Sequence, residues 1–183
     1  MRFLEVRRHS LTKKGQARES GSLLSKEGVA RARALGEQLP FAAYVLTGPD
    51  RRHVETAIAM GYAVDEMVSW PSGYVSGVVD HHDQWRWEYP FQRYAELLQT
   101  STELHAVTQA HLSHWLRALD QVADGATALV ISSGGSIEPM LVAAHPEGQH
   151  AGWGGALHQL EGATLTFDGD QCLSVQMQRE PTP

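Results

Sequence analysis

An arginine and a histidine stand side by side at Arg8-His9, closing the apolar stretch Phe3-Leu4-Glu5-Val6. In an open α/β sheet, the carboxyl end of a strand is where ligands bind. An imidazole nitrogen held there suits attack on phosphorus, and a neighbouring guanidinium can hold phosphate oxygens. Solvated residues closing a surface strand are the competing reading of this dipeptide. Two more segments tilt the balance. Thr47-Gly48-Pro49-Asp50-Arg51-Arg52-His53-Val54-Glu55-Thr56-Ala57 follows a second short apolar run. Its Arg52 falls in a first helical turn, where backbone N–H groups also favour an anion. A third run, Ala128-Leu129-Val130-Ile131, leads into Ser132-Ser133-Gly134-Gly135-Ser136. The glycine pair lets backbone approach a ligand closely, and Ser136 is placed to cap a following helix.

The elements that must position these groups are legible in outline. Residues 2–6 read as a buried strand. Thr12 through Ser22 reads as a loop over that strand's end. Ser25 is a candidate N-cap, with Glu27 in the first turn and an apolar stripe of Val29, Ala32, Leu35 and Leu39 that Pro40 stops. A strand over Ala42–Thr47 and a helix from Asp50 to Met60, ended by Gly61, come next. Residues 62–100 are the least legible, an aromatic excursion over a pocket with a short helix from Pro90 to Gln99. A long amphipathic helix follows the Ser101-Thr102 cap; His105, His111 and His114 on it read as surface or packed histidines. Asp124-Gly125 turns into a strand over 127–132. A helix starts near Ile137, its first turn tolerating Pro139. Ala163–Phe167 and Cys172–Met177, joined at Asp168-Gly169, read as a hairpin. Strands alternating with helices predict an α/β sandwich with a largely parallel sheet.

Taken in this order, the segments resemble the histidine phosphatase superfamily, which contains the cofactor-dependent phosphoglycerate mutases. That family's first strand ends in Arg-His-Gly, matched by Arg8-His9-Ser10. Its Ser-Ser-Pro-x-x-Arg-x-x-(Gln/Glu)-Thr-Ala pattern is matched from Thr47 to Ala57, with Arg52 in the arginine slot. Its late Ser-His-Gly-Gly is matched by Ser132-Ser133-Gly134-Gly135. The resemblance implies a single domain over residues 1–183, a phosphoglycerate mutase-like three-layer sandwich with a mainly parallel central sheet flanked by helices. Residues 62–124 would form the excursion and helices over the pocket. It implies His9 as the phosphoryl-accepting nucleophile, Arg8 and Arg52 around the phosphate, and neither metal nor cofactor.

Two departures stand out. Ser10 replaces a glycine, and Ser133 replaces a second histidine that in the family helps bind the transferring phosphoryl group. A serine hydroxyl donates one hydrogen bond but brings no charge. Losing one preorganised donor costs about 10²–10³ in rate. Ser10, Ser133 and Gly134 are therefore phosphate-contact candidates in a weakened, rewired or non-catalytic site. The leaving alkoxide needs a proton, and the family's acidic motif is not recognisable here. Asp80 is the first choice and Glu66 the second. His82 is an alternative acid, or a source of the charge missing at Ser133, and His158 is a remoter substitute.

The expected function is phosphomonoester hydrolysis through a phosphohistidine on a small phosphorylated molecule. The alternative is a non-catalytic module that binds a phosphate or sulfate anion or serves regulation. A mutase is disfavoured because further basic residues for a sugar acid are not found. Metal ligation by His81, His82 and Asp83 is a third reading, with no metal-motif spacing behind it. A net charge of −6 without a basic run argues against nucleic acid. The single cysteine, Cys172, excludes an internal disulfide and fits a buried role in a cytoplasmic setting. No apolar run is long enough to span a membrane. Exposed tryptophans over 70–90 make a homodimer surface conceivable.

Overall fold

The computed structural model describes residues 1–15 and 22–179. Six strands, β1 (Arg2–Arg8), β2 (Ala42–Thr47), β3 (Glu66–Met67), β4 (Thr127–Ser132), β5 (Gly162–Asp168) and β6 (Gln171–Gln178), form one sheet in the order β3-β2-β4-β1-β5-β6. The pairs β1–β4, β2–β4 and β2–β3 are parallel, and β1–β5 and β5–β6 are antiparallel. The sheet is thus mainly parallel with an antiparallel edge, and helices cover both faces. No helix among the described residues is long and apolar enough to cross a membrane.

Alternation along the central strands divides the core. On β4, Ala128 and Val130 face α3 (Pro90–Thr100), α4 (Thr102–Asp120) and α5 (Ile137–Ala144). Leu129 and Ile131 face α1 (Lys26–Gly36) and α2 (Arg51–Ala59). Both faces are apolar because a central parallel strand is buried on both sides. On β1, Leu4 and Val6 join the first of these clusters. The same strand buries an ion pair, with Arg7 Nε donating to Glu5 Oε1 at 2.5 Å and Thr164 Oγ1 donating to Glu5 Oε2 at 2.5 Å. Strand β1 runs two residues past its expected end because its pairing with β4 continues to Arg8↔Ser132.

Ser25 caps α1 by accepting from Gly28 N at 3.0 Å, and Ser101 caps α4 by accepting from Leu104 N at 3.1 Å. Helix α1 stops at Gly36, short of Pro40. A Cβ there would stand 2.0 Å from the Met60 carbonyl oxygen, so Gly36 permits a close helix approach at the cost of helix propensity. Gly61 ends α2 at φ +94°. Ser136 does not cap α5: its backbone is helical and its Oγ instead accepts from Gly73 N at 3.4 Å. Of the loop expected over Thr12–Ser22, residues 16–21 lie outside the described residues; Thr12 and Leu24 form an isolated antiparallel bridge.

The opaque 62–100 stretch contains β3, an isolated bridge Val75↔Val79, a short 3-10 helix over Asp83–Trp85, and α3. Its tryptophans are mostly packed. Trp70 stacks on His111 at 4.4 Å and Trp87 meets Tyr94 edge-on at 5.2 Å, which leaves Trp85 exposed. His111 is fully buried, and His105 is exposed on α4. Burial raises the Cys172 thiol to about 11, as befits a packing residue.

Candidate functional site

The strand order β2-β4-β1 sets the carboxyl ends of three parallel strands next to one another, which is where an open α/β sheet opens its ligand crevice. His9 N donates to Ser132 O at 2.9 Å, and Gly48 N donates to Ile131 O at 3.1 Å, so the three chain exits are tied together. A cavity of about 630 Å³ opens there, and Arg8, His9, Arg52, His53, Ser133 and Gly134 are among the residues lining it.

His9 is buried, and its Nδ1 lies 2.8 Å from the Ser10 carbonyl oxygen. A carbonyl can only accept, so the proton is on Nδ1 and Nε2 carries the lone pair. Burial, with Arg8 and Arg52 adding repulsion, lowers the pKa of His9 to about 3, so the ring is neutral over the physiological range. Arg8 is held by Nη1 donating to Leu157 O at 2.5 Å, and Trp85 covers its guanidinium at 5.5 Å. Its Nε has no partner among the described residues, an unusual state for a buried donor and one that an anion would relieve. Gly134 packs closely beside it: a Cβ there would stand 3.1 Å from Arg8 Nε. Arg52 pairs closely with Asp50, and its Nη2 donates to Ser133 Oγ at 3.3 Å.

The sequence candidates are not all brought together. His9, Arg8, Arg52, Ser133, Gly134 and His82 line the cavity. Ser10 does not: its hydroxyl turns away and donates to Gly28 O at 2.7 Å, while its N–H donates to Thr56 Oγ1 at 3.0 Å. The residue thus braces the end of β1, its hydroxyl against α1 and its N–H against α2, rather than meeting a ligand. Asp80 is exposed in a turn, its N–H bonded to Asp83 Oδ2, and is absent from the lining. Glu66 accepts from Tyr44 and Arg117 on β3, outside the cavity. His158 is exposed and lies against Trp85 at 4.9 Å. The His81 and His82 rings meet at 3.7 Å on the cavity wall. No three His, Cys, Asp or Glu side chains group as metal ligands among the described residues.

Three groups escaped the sequence reading. His53 is buried on α2 with Nε2 2.7 Å from Ser133 Oγ. Its signal was helical spacing: His53, Thr56 and Ala57 share the inward face. Asp50 also lines the cavity. Glu138, fully buried, accepts from Gly135 N at 2.5 Å and Leu157 N at 3.1 Å, fixing two loops at the site. A lone acid within the apolar run of α5 was its signal.

Comparison of the whole structure with solved ones is decisive for the architecture. Phosphoserine phosphatase from Entamoeba histolytica, solved with 3-phosphoglyceric acid, superposes with a TM-score of 0.64 at 14% identity, over 96% of this chain and 97% of that one. The chain has the phosphoglycerate mutase-like fold. The same fold is seen in the protein histidine phosphatase SixA complexed with tungstate, with a TM-score of 0.60 at 16% identity over 96% of both chains. A putative alpha-ribazole-5'-P phosphatase from Escherichia coli gives 0.61 at 14% identity over 98% of both. No protein-family profile matches the sequence, and no curated protein matches it. The phosphoglycerate mutase-like fold is therefore recognisable in this chain through its shape and a few short segments.

Proposed function

We propose that this chain is a phosphomonoester hydrolase that acts through a phosphohistidine at His9 on a small phosphorylated molecule. The observation that carries the reading is the presentation of His9: neutral, its Nδ1–H given to the Ser10 carbonyl, its ring in a cavity shared with two arginines. Solved phosphatases of the same fold support it.

In this reading, His9 Nε2 forms a bond to phosphorus as the bond from phosphorus to the leaving oxygen breaks. Arg8 and Arg52 neutralise the equatorial oxygens, since phosphoryl transfer needs chiefly positioning and charge. The leaving oxygen takes a proton from the His81–His82 pair, the histidines of the excursion that line the cavity. Water then attacks phosphorus, returns its proton to that pair, and displaces phosphate from His9. The single buried cysteine supports a cytoplasmic setting.

One observation favours a second reading. Asp50 already engages Arg52, which weakens the positive field at the site and suits a module that binds phosphate without turning it over. Rapid-quench labelling with ³²P-labelled p-nitrophenyl phosphate, worked up in alkali, separates the two. Label mapping to His9, and its loss in H9A together with turnover, is the expected result. Anion binding without label on His9 would leave the binding module standing.

A further inference from the structure

His53 is a buried, site-lining group that the steps above do not use. Its ring is 3% exposed, and its centroid lies 5.7 Å from that of His9. Its Nε2 is 2.7 Å from Ser133 Oγ, the oxygen that also accepts from Arg52 Nη2. On the other side its Nδ1 rests on Gly48, where a Cβ would stand 2.4 Å away. The imidazole is therefore clamped between a residue with no side chain and one hydroxyl.

A serine hydroxyl has one proton and two lone pairs. Arg52 donates into one lone pair. If the second accepts from His53 Nε2–H, the Ser133 proton is left to point into the cavity. Resting on the phosphatase reading, we propose that His53 and Ser133 form a two-step donor relay, His53 Nε2–H to Ser133 Oγ and Ser133 Oγ–H to a non-bridging oxygen of the transferring phosphoryl group. Ser133 touches the substrate, and His53 is the positioning residue behind it. Burial, with His9 and Arg52 nearby, holds His53 well below the usual histidine pKa, so the neutral ring polarises the hydroxyl without adding charge. The same contact explains why position 133 is small. At 2.7 Å from Nε2 there is no room for a second imidazole while His53 keeps its place.

The test uses kcat and KM for p-nitrophenyl phosphate, with phosphate trapping on His9 in parallel. Removing one oxyanion donor lowers rate by about 10²–10³. S133A is expected to lose about 10²-fold in kcat, and H53A at least about tenfold, with KM little changed. S133A/H53A should be no slower than S133A alone, because one relay is broken once. H53Q, whose amide can still donate to Ser133, should keep most of the rate, whereas H53M, similar in bulk but without a donor, should not. S133H should regain about tenfold or more in the H53A background and lose activity where His53 remains.

Wild-type kcat in H53A, additive losses in the double variant, or equal rates for H53Q and H53M would overturn the relay. The H53Q–H53M contrast carries the test if H53A does not fold. Label trapped on His9 of the wild type means that such a failure belongs to the relay alone. Its absence means that the phosphatase reading itself has failed.

Discussion

At the scale of single residues, the proton supply divides the candidates most sharply. Asp80 stood out in the sequence because Val79-Asp80-His81-His82-Asp83 is dense in titratable groups. Density is a property of the chain; direction is a property of the turn. His82 adopts a left-handed backbone, φ 70°, and the turn carries the two imidazoles onto the cavity wall while Asp80 stays exposed outside the lining. D80N should therefore turn over as the wild type does. H82A should lose about 10²–10⁴-fold in kcat on alkyl phosphates, the usual worth of a positioned acid. It should lose far less on p-nitrophenyl phosphate, whose leaving group needs no proton. A rate comparison across leaving groups of graded basicity checks this, and a uniform loss would remove the acid role. The groups that were legible, Arg8, His9, Arg52, Ser133 and Gly134, all follow shortly after the end of an apolar run. His53 was not, because an inward-facing polar residue on a helix looks like core until its partner on a distant strand is known.

Among the elements, α5 is anchored at its start by a buried carboxyl that holds two loops, in place of the serine cap that was expected. Glu138 accepts two backbone N–H groups from the loops on either side of Arg8, and Gly135, at φ +82°, turns its N–H toward it. Burial raises the pKa of Glu138, against the opposing pull of those N–H donors and of Arg8. E138A would orphan both donors, and each buried unpaired N–H costs about 1–3 kcal/mol. Urea unfolding should show a loss in that range or above it, accompanied by weaker binding of inorganic phosphate as the Arg8 loops relax. The strands β2 and β4 and the caps of α1 and α4 were readable because apolar runs and serine caps are local signals. The 62–100 stretch was not. Its two-residue strand and single bridge are held by contacts with α4 and the sheet, and leave almost no periodicity in the sequence.

Taken as a whole, the molecule keeps four imidazoles, those of His9, His53, His111 and His150, out of water. Burial lowers His9 and His111 to about 3, His53 well below its ordinary value of 6.5, and His150 below it as well. Below pH 6.5 the unfolded chain binds protons that the folded chain refuses. Stability is therefore intact above that pH and falls as the pH drops toward 3, by up to about 1.4 kcal/mol per pH unit for each histidine. Glu138, with its pKa raised, runs the other way, but it is one group against four. Urea midpoints measured from pH 7 to pH 5 should fall accordingly. H111F, which keeps a ring between Trp70 and Trp115, should flatten the curve by about one histidine's share.

Strand β1 sits in the middle of the sheet, with β4 on one side and β5 on the other. The residues of β1 leave the ribosome well before their neighbours, residues 127–132 and 162–168. Until β4 emerges, the segment bearing His9 lacks the strand on which it docks. Its apolar run, Phe3 to Val6, therefore stays unpaired in the nascent chain until β4 and β5 have both been made, an exposure of the kind that chaperones answer.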